Sequence, residues 1–277
     1  MKIGIVGLGL IGGSFAKAIK KYTDNFVLGY DIKQKSLDSA LADGAIDRLL
    51  EDGDLSELDL LILALRPKVA IDYVRAHENI RGNVMEICGV KRSVSKELSK
   101  LSKVYGFNYI GTHPMAGREV GGYENSLADL YQKASMIVIE HGNIDQWILD
   151  LFKDIGFSIE YSNDQNHDRI IAYTSQLAHV VSNSFVKSPT ALEHKGYSAD
   201  SLKDLTRVAT LDEDMWTELF LDNADNLERE VENIIEELEK YRRAIHERDQ
   251  ATLKKLLKEG SDRKALMYPK EEIPCKK

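Results

Sequence analysis

One histidine, His113, stands where an ionisable side chain can take part in chemistry. It ends the apolar segment NYIGTH and is followed by a proline and a small-residue turn, which leads to Arg118 and Glu119. A histidine titrates near neutral pH, so it can take a proton from an alcohol while hydride leaves the carbinol carbon. The residues alone leave two interpretations open: a catalytic base, or a structural histidine that binds a turn amide.

A second chemical feature is the glycine-rich stretch GLGLIGGSF near the N-terminus. Gly7, Gly9 and Gly12 form a G-x-G-x-x-G pattern between a predicted strand and a predicted helix, and this context favours dinucleotide binding over an ordinary turn. Asp31 ends the next predicted strand, where an acid binds the ribose hydroxyls and repels a 2′-phosphate. NAD is therefore the predicted cofactor, and its predicted binding residues are Gly7, Leu8, Gly9, Leu10, Ile11, Gly12 and Asp31.

Apolar segments alternate with helical segments over the first part of the chain. The predicted strands are KIGIV, FVLGYD, LDLLILAL, NVMEIC, NYIGTH, SMIVIE and FSIEY. This alternation predicts a parallel, doubly wound sheet, in which ligands bind at the carboxyl ends of the strands. We therefore expect an α/β protein with an N-terminal Rossmann-type domain over residues 1–162, and His113 beside the cofactor.

After residue 162 the patterns become helical, so we expect an all-α C-terminal domain over residues 163–277. Six apolar residues of this part recur at steps of four and three: Leu227, Val231, Ile234, Leu238, Tyr241 and Ile245. Such spacing is typical of a helix-packing seam. The seam fits either a helix packed in its own domain or the interface of a homodimer. Residues 269–277 carry little apolar surface and are expected to be frayed.

Composition excludes several classes of function. The formal net charge of −8 comes without a basic cluster, which argues against a nucleic-acid partner. The longest apolar runs are too short to span a membrane, and the N-terminus lacks the sections of a signal peptide, so we expect a cytoplasmic protein. Cys88 and Cys275 lie far apart and fit neither a disulfide framework nor a metal site.

Three motifs carry a resemblance to a known family. They are GTHPMAGRE, TSQLAHVVS at 174–182 and KDLTRVATLDEDMW at 203–216, all placed after the glycine loop. Together they resemble the prephenate dehydrogenase family over roughly residues 1–260. The resemblance implies an NAD-dependent homodimer of tyrosine biosynthesis that oxidises the C4 alcohol of prephenate without a metal. Carbon dioxide is lost, and the product is 4-hydroxyphenylpyruvate.

The resemblance also implies roles for individual residues. His113 takes the proton of the C4 hydroxyl, Arg207 binds a substrate carboxylate, and His179 faces the substrate's side chain. A carboxylate suits an arginine because the planar guanidinium grips both oxygens. Three more positions are expected to line or brace the substrate pocket: Glu119, Asp204 and Trp216. The role of Arg118 is open.

The stretch EICGVKRSV departs from the family pattern D-x-x-S-V-K. Glu86 replaces the leading aspartate. Gly89 replaces a serine whose hydroxyl reaches towards the C4 oxygen and the cofactor. We include Gly89 among the cofactor-binding residues, because a glycine lets water or the nicotinamide approach. The loop YSADSLKD before the D-x-T-R block also departs from a glycine-rich pattern in relatives.

Three rival functions stay open. An arogenate dehydrogenase performs the same reaction on a substrate with an amine in place of the keto group. A 3-hydroxyacid or imine reductase-like enzyme has the same domain order, but no matching lysine motif is present in the helical part. A non-catalytic, NAD-binding redox sensor would tolerate replacement of His113, whereas the enzyme would not.

Overall fold

Seven of the eight strands among the described residues follow the predicted apolar segments, and the short exposed strand Arg48–Leu49 was not predicted. The computed structural model describes residues 1–268, so residues 269–277, which we expected to be frayed, lie outside the described part. The strands are β1 (Lys2–Val6), β2 (Phe26–Tyr30), β3 (Arg48–Leu49), β4 (Leu60–Leu63), β5 (Asn83–Glu86), β6 (Asn108–Pro114), β7 (Ser135–Ile139) and β8 (Ser158–Ser162).

These strands form one sheet in the order β3-β2-β1-β4-β5-β6-β7-β8. All neighbours from β3 to β6 are parallel, and the strand order reverses between β1 and β4. At such a switch point, a doubly wound sheet binds its ligands outside the carboxyl ends of the strands. The expected Rossmann-type fold is confirmed.

One strand pair departs from the expected parallel sheet, because β6 and β7 are antiparallel. A parallel pair needs a long crossover, usually with a helix. Residues 115–134, which join these strands, contain a short 3₁₀ turn at Tyr123–Asn125 and no α-helix. The chain therefore reverses direction after β6, and β7 pairs antiparallel with it. The expectation of an all-parallel sheet was wrong here.

The continuous apolar runs reflect a sheet that is covered on both faces. In β4, Leu60 and Ile62 belong to one hydrophobic core, and Leu61 and Leu63 belong to the other. All four side chains are fully buried. Alternate residues of a strand point to opposite faces, so burial on both faces requires an apolar residue at every position.

Helices cover the sheet and predominate after residue 162. The α-helices are α1 (Leu10–Tyr22), α2 (Gln34–Ala42), α3 (Pro67–Ala76), α4 (Arg92–Tyr105), α5 (Gln146–Asp154), α6 (Asp164–Ile171), α7 (Ala178–Phe185), α8 (Asp200–Thr206), α9 (Glu213–Asp222), α10 (Ala224–His246) and α11 (Gln250–Met267). A π-helical segment, Ala172–Leu177, joins α6 directly to α7.

The chain divides into a compact unit from Met1 to Asn226 and a second unit that begins at Leu227. The sequence analysis divided it instead at residue 162, where the strands end. The two divisions differ because the first helices after the sheet are bonded to residues that precede position 162. Asp168 on α6 accepts hydrogen bonds from the backbone amides of Lys91 and Arg92 at the start of α4.

The second unit contains most of α10 and all of α11. Two residues of the predicted seam on α10, Leu238 and Ile245, have exposed fractions of 60% and 61%, whereas Leu227 is buried. Two of the six seam residues are thus exposed in the described chain. Among residues 1–268, no helix has both the length and the apolar character needed to cross a membrane.

Candidate active site

The glycine loop leaves β1 and starts α1 in a form that suits a phosphate group. Gly7 has a φ of +93°, which disfavours other residues, and a Cβ at Gly12 would lie 1.9 Å from the Gly7 carbonyl oxygen. A Cβ at Gly9 would instead meet open space. Gly7 and Gly12 therefore allow the turn and the close packing, and Gly9 leaves the loop accessible.

The N-terminus of α1 has the free donors that an anion needs. The residue before the helix is Gly9, so no side chain caps the first turn, and that turn contains no acidic residue. The first amides of a helix have no partner within the helix, and its dipole favours negative charge there. These residues fit the pyrophosphate of a dinucleotide.

Asp31 lies beside this loop, directly after β2. Its Oδ2 accepts a hydrogen bond from the Leu8 amide at 2.7 Å, and its Oδ1 accepts one from the Lys33 amide at 2.8 Å. Each carboxylate oxygen can accept a further bond. The acid is thus fixed next to the loop and keeps acceptor capacity for the hydroxyls of a ribose.

His113 occupies the carboxyl end of β6, as the sequence predicted. Behind its partly buried ring lies a polar chain that the sequence analysis did not predict. Nδ1 of His113 lies 2.9 Å from Nε2 of His167, and Nδ1 of His167 lies 2.8 Å from Oδ1 of Asp168. The side chains of His167 and Asp168 are fully buried.

Burial controls the ionisation of this group. It lowers the pKa of His113 well below the usual value, and the positive charges that His167 and Lys91 can carry act in the same direction. Burial also lowers the pKa of His167, against the effect of Asp168. For Asp168, hydrogen bonds from His167 and the backbone outweigh burial and lower its pKa. At neutral pH the group therefore consists of two neutral imidazoles and a carboxylate.

A buried ion pair lies against the end of β6. Lys91 Nζ lies 2.6 Å from Glu86 Oε1 and also donates to the Thr112 carbonyl at 2.5 Å. Both charged side chains are fully buried, and the Tyr109 hydroxyl donates to Glu86 at 3.0 Å. The pair fixes the end of β5, the start of α4 and the residue that precedes His113.

Glu119 and Arg207 are brought together in an exposed ion pair. Arg207 Nη1 donates to Glu119 Oε1 at 2.5 Å, with side-chain exposed fractions of 62% for the arginine and 50% for the acid. This hydrogen bond lowers the pKa of Glu119. The arginine thus reaches the loop that follows β6, the strand of His113.

His179 and Trp216 form a second contact among the predicted residues. Their ring centroids lie 4.0 Å apart, and His179 Nδ1 donates to the Ser175 carbonyl at 2.8 Å. Burial lowers the pKa of His179 against the effect of that hydrogen bond, and the charge of Arg207 lowers it further. The π-helical segment ends just before this residue, and such segments occur often at functional sites.

Three predicted or open positions have less to support them. A Cβ at Gly89 would lie 3.5 Å from Leu219, an ordinary contact, so a serine side chain would fit there. Asp204 is exposed on α8, and its carboxylate has no hydrogen bond or ion pair among residues 1–268. Arg118 Nη1 donates to the Asn125 carbonyl at 3.0 Å, within its own loop.

Sequence reasoning missed His167, Asp168 and Lys91. The first two follow β8 in a polar stretch, NDQNHD, that reads as an ordinary helix start. A histidine next to an acid is a weak signal, because nothing in the sequence indicates that the end of β6 lies against it. Lys91 was quoted only as part of a motif, and lysines are rarely buried unless paired.

Comparisons with known proteins agree with this arrangement. Residues 15–160 match the family model described as "Prephenate dehydrogenase, nucleotide-binding domain", and residues 163–259 match "Prephenate dehydrogenase, dimerization domain". A cyclohexadienyl dehydrogenase of Zymomonas mobilis is 30% identical over 98% of this chain and 97% of its own length. A prephenate dehydrogenase of Lactococcus lactis is 29% identical over 99% of this chain and 79% of its own length.

A solved structure of similar fold is that of prephenate dehydrogenase from Aquifex aeolicus, in complex with hydroxyphenyl propionate and NAD⁺. Its TM-score is 0.82 at 26% identity, and the match covers 97% of this chain and 98% of the other. The two matched ranges include every predicted substrate-binding residue, and β1 and the glycine loop lie before the first of them. The chain therefore belongs to the prephenate dehydrogenase family and is an NAD-dependent oxidoreductase of that family.

Proposed function

We propose that this protein oxidises and decarboxylates prephenate to 4-hydroxyphenylpyruvate with NAD, a reaction of tyrosine biosynthesis. One observation carries the proposal. A histidine held neutral by burial stands at the carboxyl end of β6, and the loop after that strand binds Arg207, the cation expected to hold a substrate carboxylate. Family membership and the names of the relatives support the substrate class.

In this proposal His113 is the general base. A neutral imidazole takes the proton of the C4 hydroxyl while hydride leaves the carbinol carbon. When bound, NAD supplies the acceptor for that hydride. The ring then becomes aromatic as it loses its carboxylate, and this drives the reaction forward. Because its pKa is lowered, His113 is already in the basic form at neutral pH.

Arg207 binds the substrate by exchanging one carboxylate for another. In the structure its guanidinium is bound to Glu119, and both side chains are half exposed or more. An exposed ion pair contributes little net stability, so the exchange costs little. A substrate carboxylate can be held through two parallel hydrogen bonds. Glu119 then marks the position that the substrate takes.

Arogenate is a second candidate substrate, and one observation favours it. His179 donates from Nδ1 to a backbone carbonyl, so in its neutral form it presents Nε2 as an acceptor. An acceptor suits the ammonium group of arogenate, whereas the keto group of prephenate needs a donor. Protonation of His179 below its lowered pKa would supply that donor. We expect the preference for arogenate over prephenate to fall as the pH falls through the pKa of His179, which burial lowers from the usual histidine value.

We also propose that the protein forms a homodimer through its helical part. The seam on α10 includes Leu238 and Ile245, which are exposed in the described chain. A dimer would cover them, and the matched family model is described as a dimerization domain. Light scattering after gel filtration measures the mass. We expect a dimer for the wild type and a monomer for the variant with Leu238→Glu and Ile245→Glu, with Arg229→Gln as the control on the same helix. A monomeric wild type would contradict this proposal.

An absorbance assay at about 340 nm tests the main proposal, because it follows reduction of the nicotinamide. The protein is given NAD with prephenate, then NAD with arogenate, and then NADP with each substrate. We expect turnover with NAD and little with NADP, because Asp31 repels a 2′-phosphate. If absorbance rises with neither substrate, the proposed reaction is wrong.

The variant His113→Asn tests whether His113 is the general base. We expect kcat to fall by roughly 10²- to 10⁴-fold, the usual contribution of a general base, with the affinity for NAD kept. The exposed His194 provides a matched control, and His194→Asn should leave kcat unchanged. Full activity of His113→Asn would show that His113 is not the base, whereas NAD binding without turnover of either substrate by the wild type would favour the non-catalytic sensor.

A further inference from the structure

The hydrogen bonds behind His113 have one direction only. The carboxylate of Asp168 accepts bonds from the backbone amides of Lys91 at 2.8 Å and Arg92 at 2.9 Å, one on each oxygen. A carboxylate bound in this way at the start of a helix is stabilised in its ionised form. It can only accept, so the proton between Asp168 and His167 belongs to Nδ1 of His167.

The direction passes from His167 to His113. A neutral imidazole with its proton on Nδ1 has a lone pair on Nε2, and that atom lies 2.9 Å from Nδ1 of His113. Nδ1 of His113 must therefore carry a proton. In a neutral ring this leaves the lone pair on Nε2, the only nitrogen of His113 that the chain of bonds does not use.

A histidine that merely packs in a core needs no such arrangement. One backbone carbonyl is enough to hold a neutral ring, as Ser175 holds His179 and Tyr73 holds His77. His167 instead uses both nitrogens, and one of them binds another imidazole. The exposed fraction of His167 is 2% and that of Asp168 is 0%, so water does not compete for these bonds.

We propose that His167 and Asp168 are positioning residues that hold His113 in the tautomer with the proton on Nδ1, so that Nε2 is the base. This inference rests on the proposed function, since it assigns the atom that takes the substrate's proton. The hydroxyl proton moves to Nε2 as the hydride leaves carbon. The resulting positive charge on His113 is shared through Nδ1 with His167, whose own charge Asp168 would balance. No further reactant is needed.

The charged groups near His167 differ in their effect on a positive charge on the two histidines. The groups that face His167 are His113 on β6, Asp168 on its own helix, and Lys91 with its partner Glu86. Arg92 binds the other oxygen of Asp168, Oδ2. Lys91 opposes a positive charge on either histidine, whereas Asp168, and to a smaller extent Glu86, stabilises a positive charge on His167.

Two substitutions of His167 test the proposal. His167→Gln places an amide oxygen where Nε2 of the ring was, and this oxygen can still accept the bond from His113. His167→Leu has a similar size and no acceptor. We expect the leucine variant to lose roughly 10- to 100-fold in kcat with unchanged KM for prephenate and NAD, and the glutamine variant to recover most of the loss. His141→Gln is the matched control, because His141 also pairs with an acid, Asp164, but has no hydrogen bond to His113, His167 or Asp168 among residues 1–268.

A second measurement does not depend on turnover. The ¹⁵N chemical shifts of protein with labelled histidines report the tautomer of each ring, and the His113 signals are identified by their loss in His113→Asn. We expect the proton on Nδ1 in the wild type and in His167→Gln. In His167→Leu, and in Asp168→Asn, we expect a mixture of tautomers.

The outcomes separate the possible failures. The inference is overturned if His113 carries its proton on Nε2 in the wild type, or if His167→Leu keeps both its kcat and its tautomer. A parallel loss of kcat, cofactor affinity and folded structure in both His167 variants would show a purely structural role, and would overturn it too. If the wild type turns over neither prephenate nor arogenate, the proposed function fails, while the chemical shifts still decide the tautomer.

Discussion

At the scale of single residues, the role we propose for each polar side chain of the site follows from its hydrogen-bond partner in the structure. Arg207 is hydrogen-bonded to Glu119, His179 to a backbone carbonyl, and His113 to His167. The exposed arginine can change its partner at little cost, whereas His113 cannot, because its partner His167 is buried. Substrate binding should therefore depend on Arg207, and proton transfer on the buried group.

Substitution of Arg207 should separate binding from chemistry. We expect Arg207→Ala to raise KM for prephenate by roughly 10- to 100-fold, because a charge-assisted bond is lost, with a smaller effect on kcat. The KM of Arg207→Lys should fall between those of the wild type and Arg207→Ala, since an ammonium keeps the charge without the planar pair of donors. Steady-state kinetics at fixed, saturating NAD measure both constants.

A second exposed arginine provides the control for this prediction. Arg75 forms ion pairs with Asp72 and Glu97 on the α3 and α4 surfaces. Arg75→Ala should leave KM and kcat unchanged. The role given to Arg207 is wrong if its alanine variant binds prephenate as well as the Arg75 variant does.

At the scale of elements, the sequence indicated the strands well but not all of their directions. Burial on both faces leaves a continuous apolar run, which is why LDLLILAL marks β4, and the glycine pattern marks the turn after β1. The antiparallel pairing of β6 and β7 was missed, because direction depends on the missing crossover helix and not on either strand. For the same reason His113 was found from its own motif, while His167, which meets it from α6, was not.

The buried pair of Lys91 and Glu86 joins three elements, so its loss should affect folding. We expect Lys91→Met to lower the free energy of unfolding by about 3–5 kcal/mol, because Glu86 is left buried without a cation. The double variant with Glu86→Gln should recover much of this loss, since the replacement carries no charge. Urea-induced unfolding measures both.

Lys96→Met is the matched control for this experiment, since Lys96 is exposed on the same helix, α4. Its stability should stay within about 0.5 kcal/mol of the wild type. Equal stability of Lys91→Met and Lys96→Met would mean that the buried pair does not hold these elements together.

At the scale of the whole molecule, the unit from Met1 to Asn226 contains every residue assigned to cofactor, substrate or proton transfer. Three of its histidines, His113, His167 and His179, have pKa values lowered by burial. Such histidines bind protons more readily in the unfolded chain, so acid lowers the free energy of unfolding. The site should therefore make the whole unit sensitive to mild acid.

The free energy of unfolding should fall as the pH falls through about 6.5, the value near which histidines of the unfolded chain titrate. Below that pH the unfolded state binds protons that the folded state does not, so protonation favours unfolding, down to the lowered pKa values of the folded state. Urea-induced unfolding between about pH 5 and 8 measures the slope, since most carboxylates titrate below that range. His167→Gln removes one of the three histidines and should give a shallower slope, whereas His246→Gln, at an exposed position on α10, should match the wild type. A stability that rises as the pH falls, or an unchanged slope in His167→Gln, would contradict the link between these buried histidines and folding.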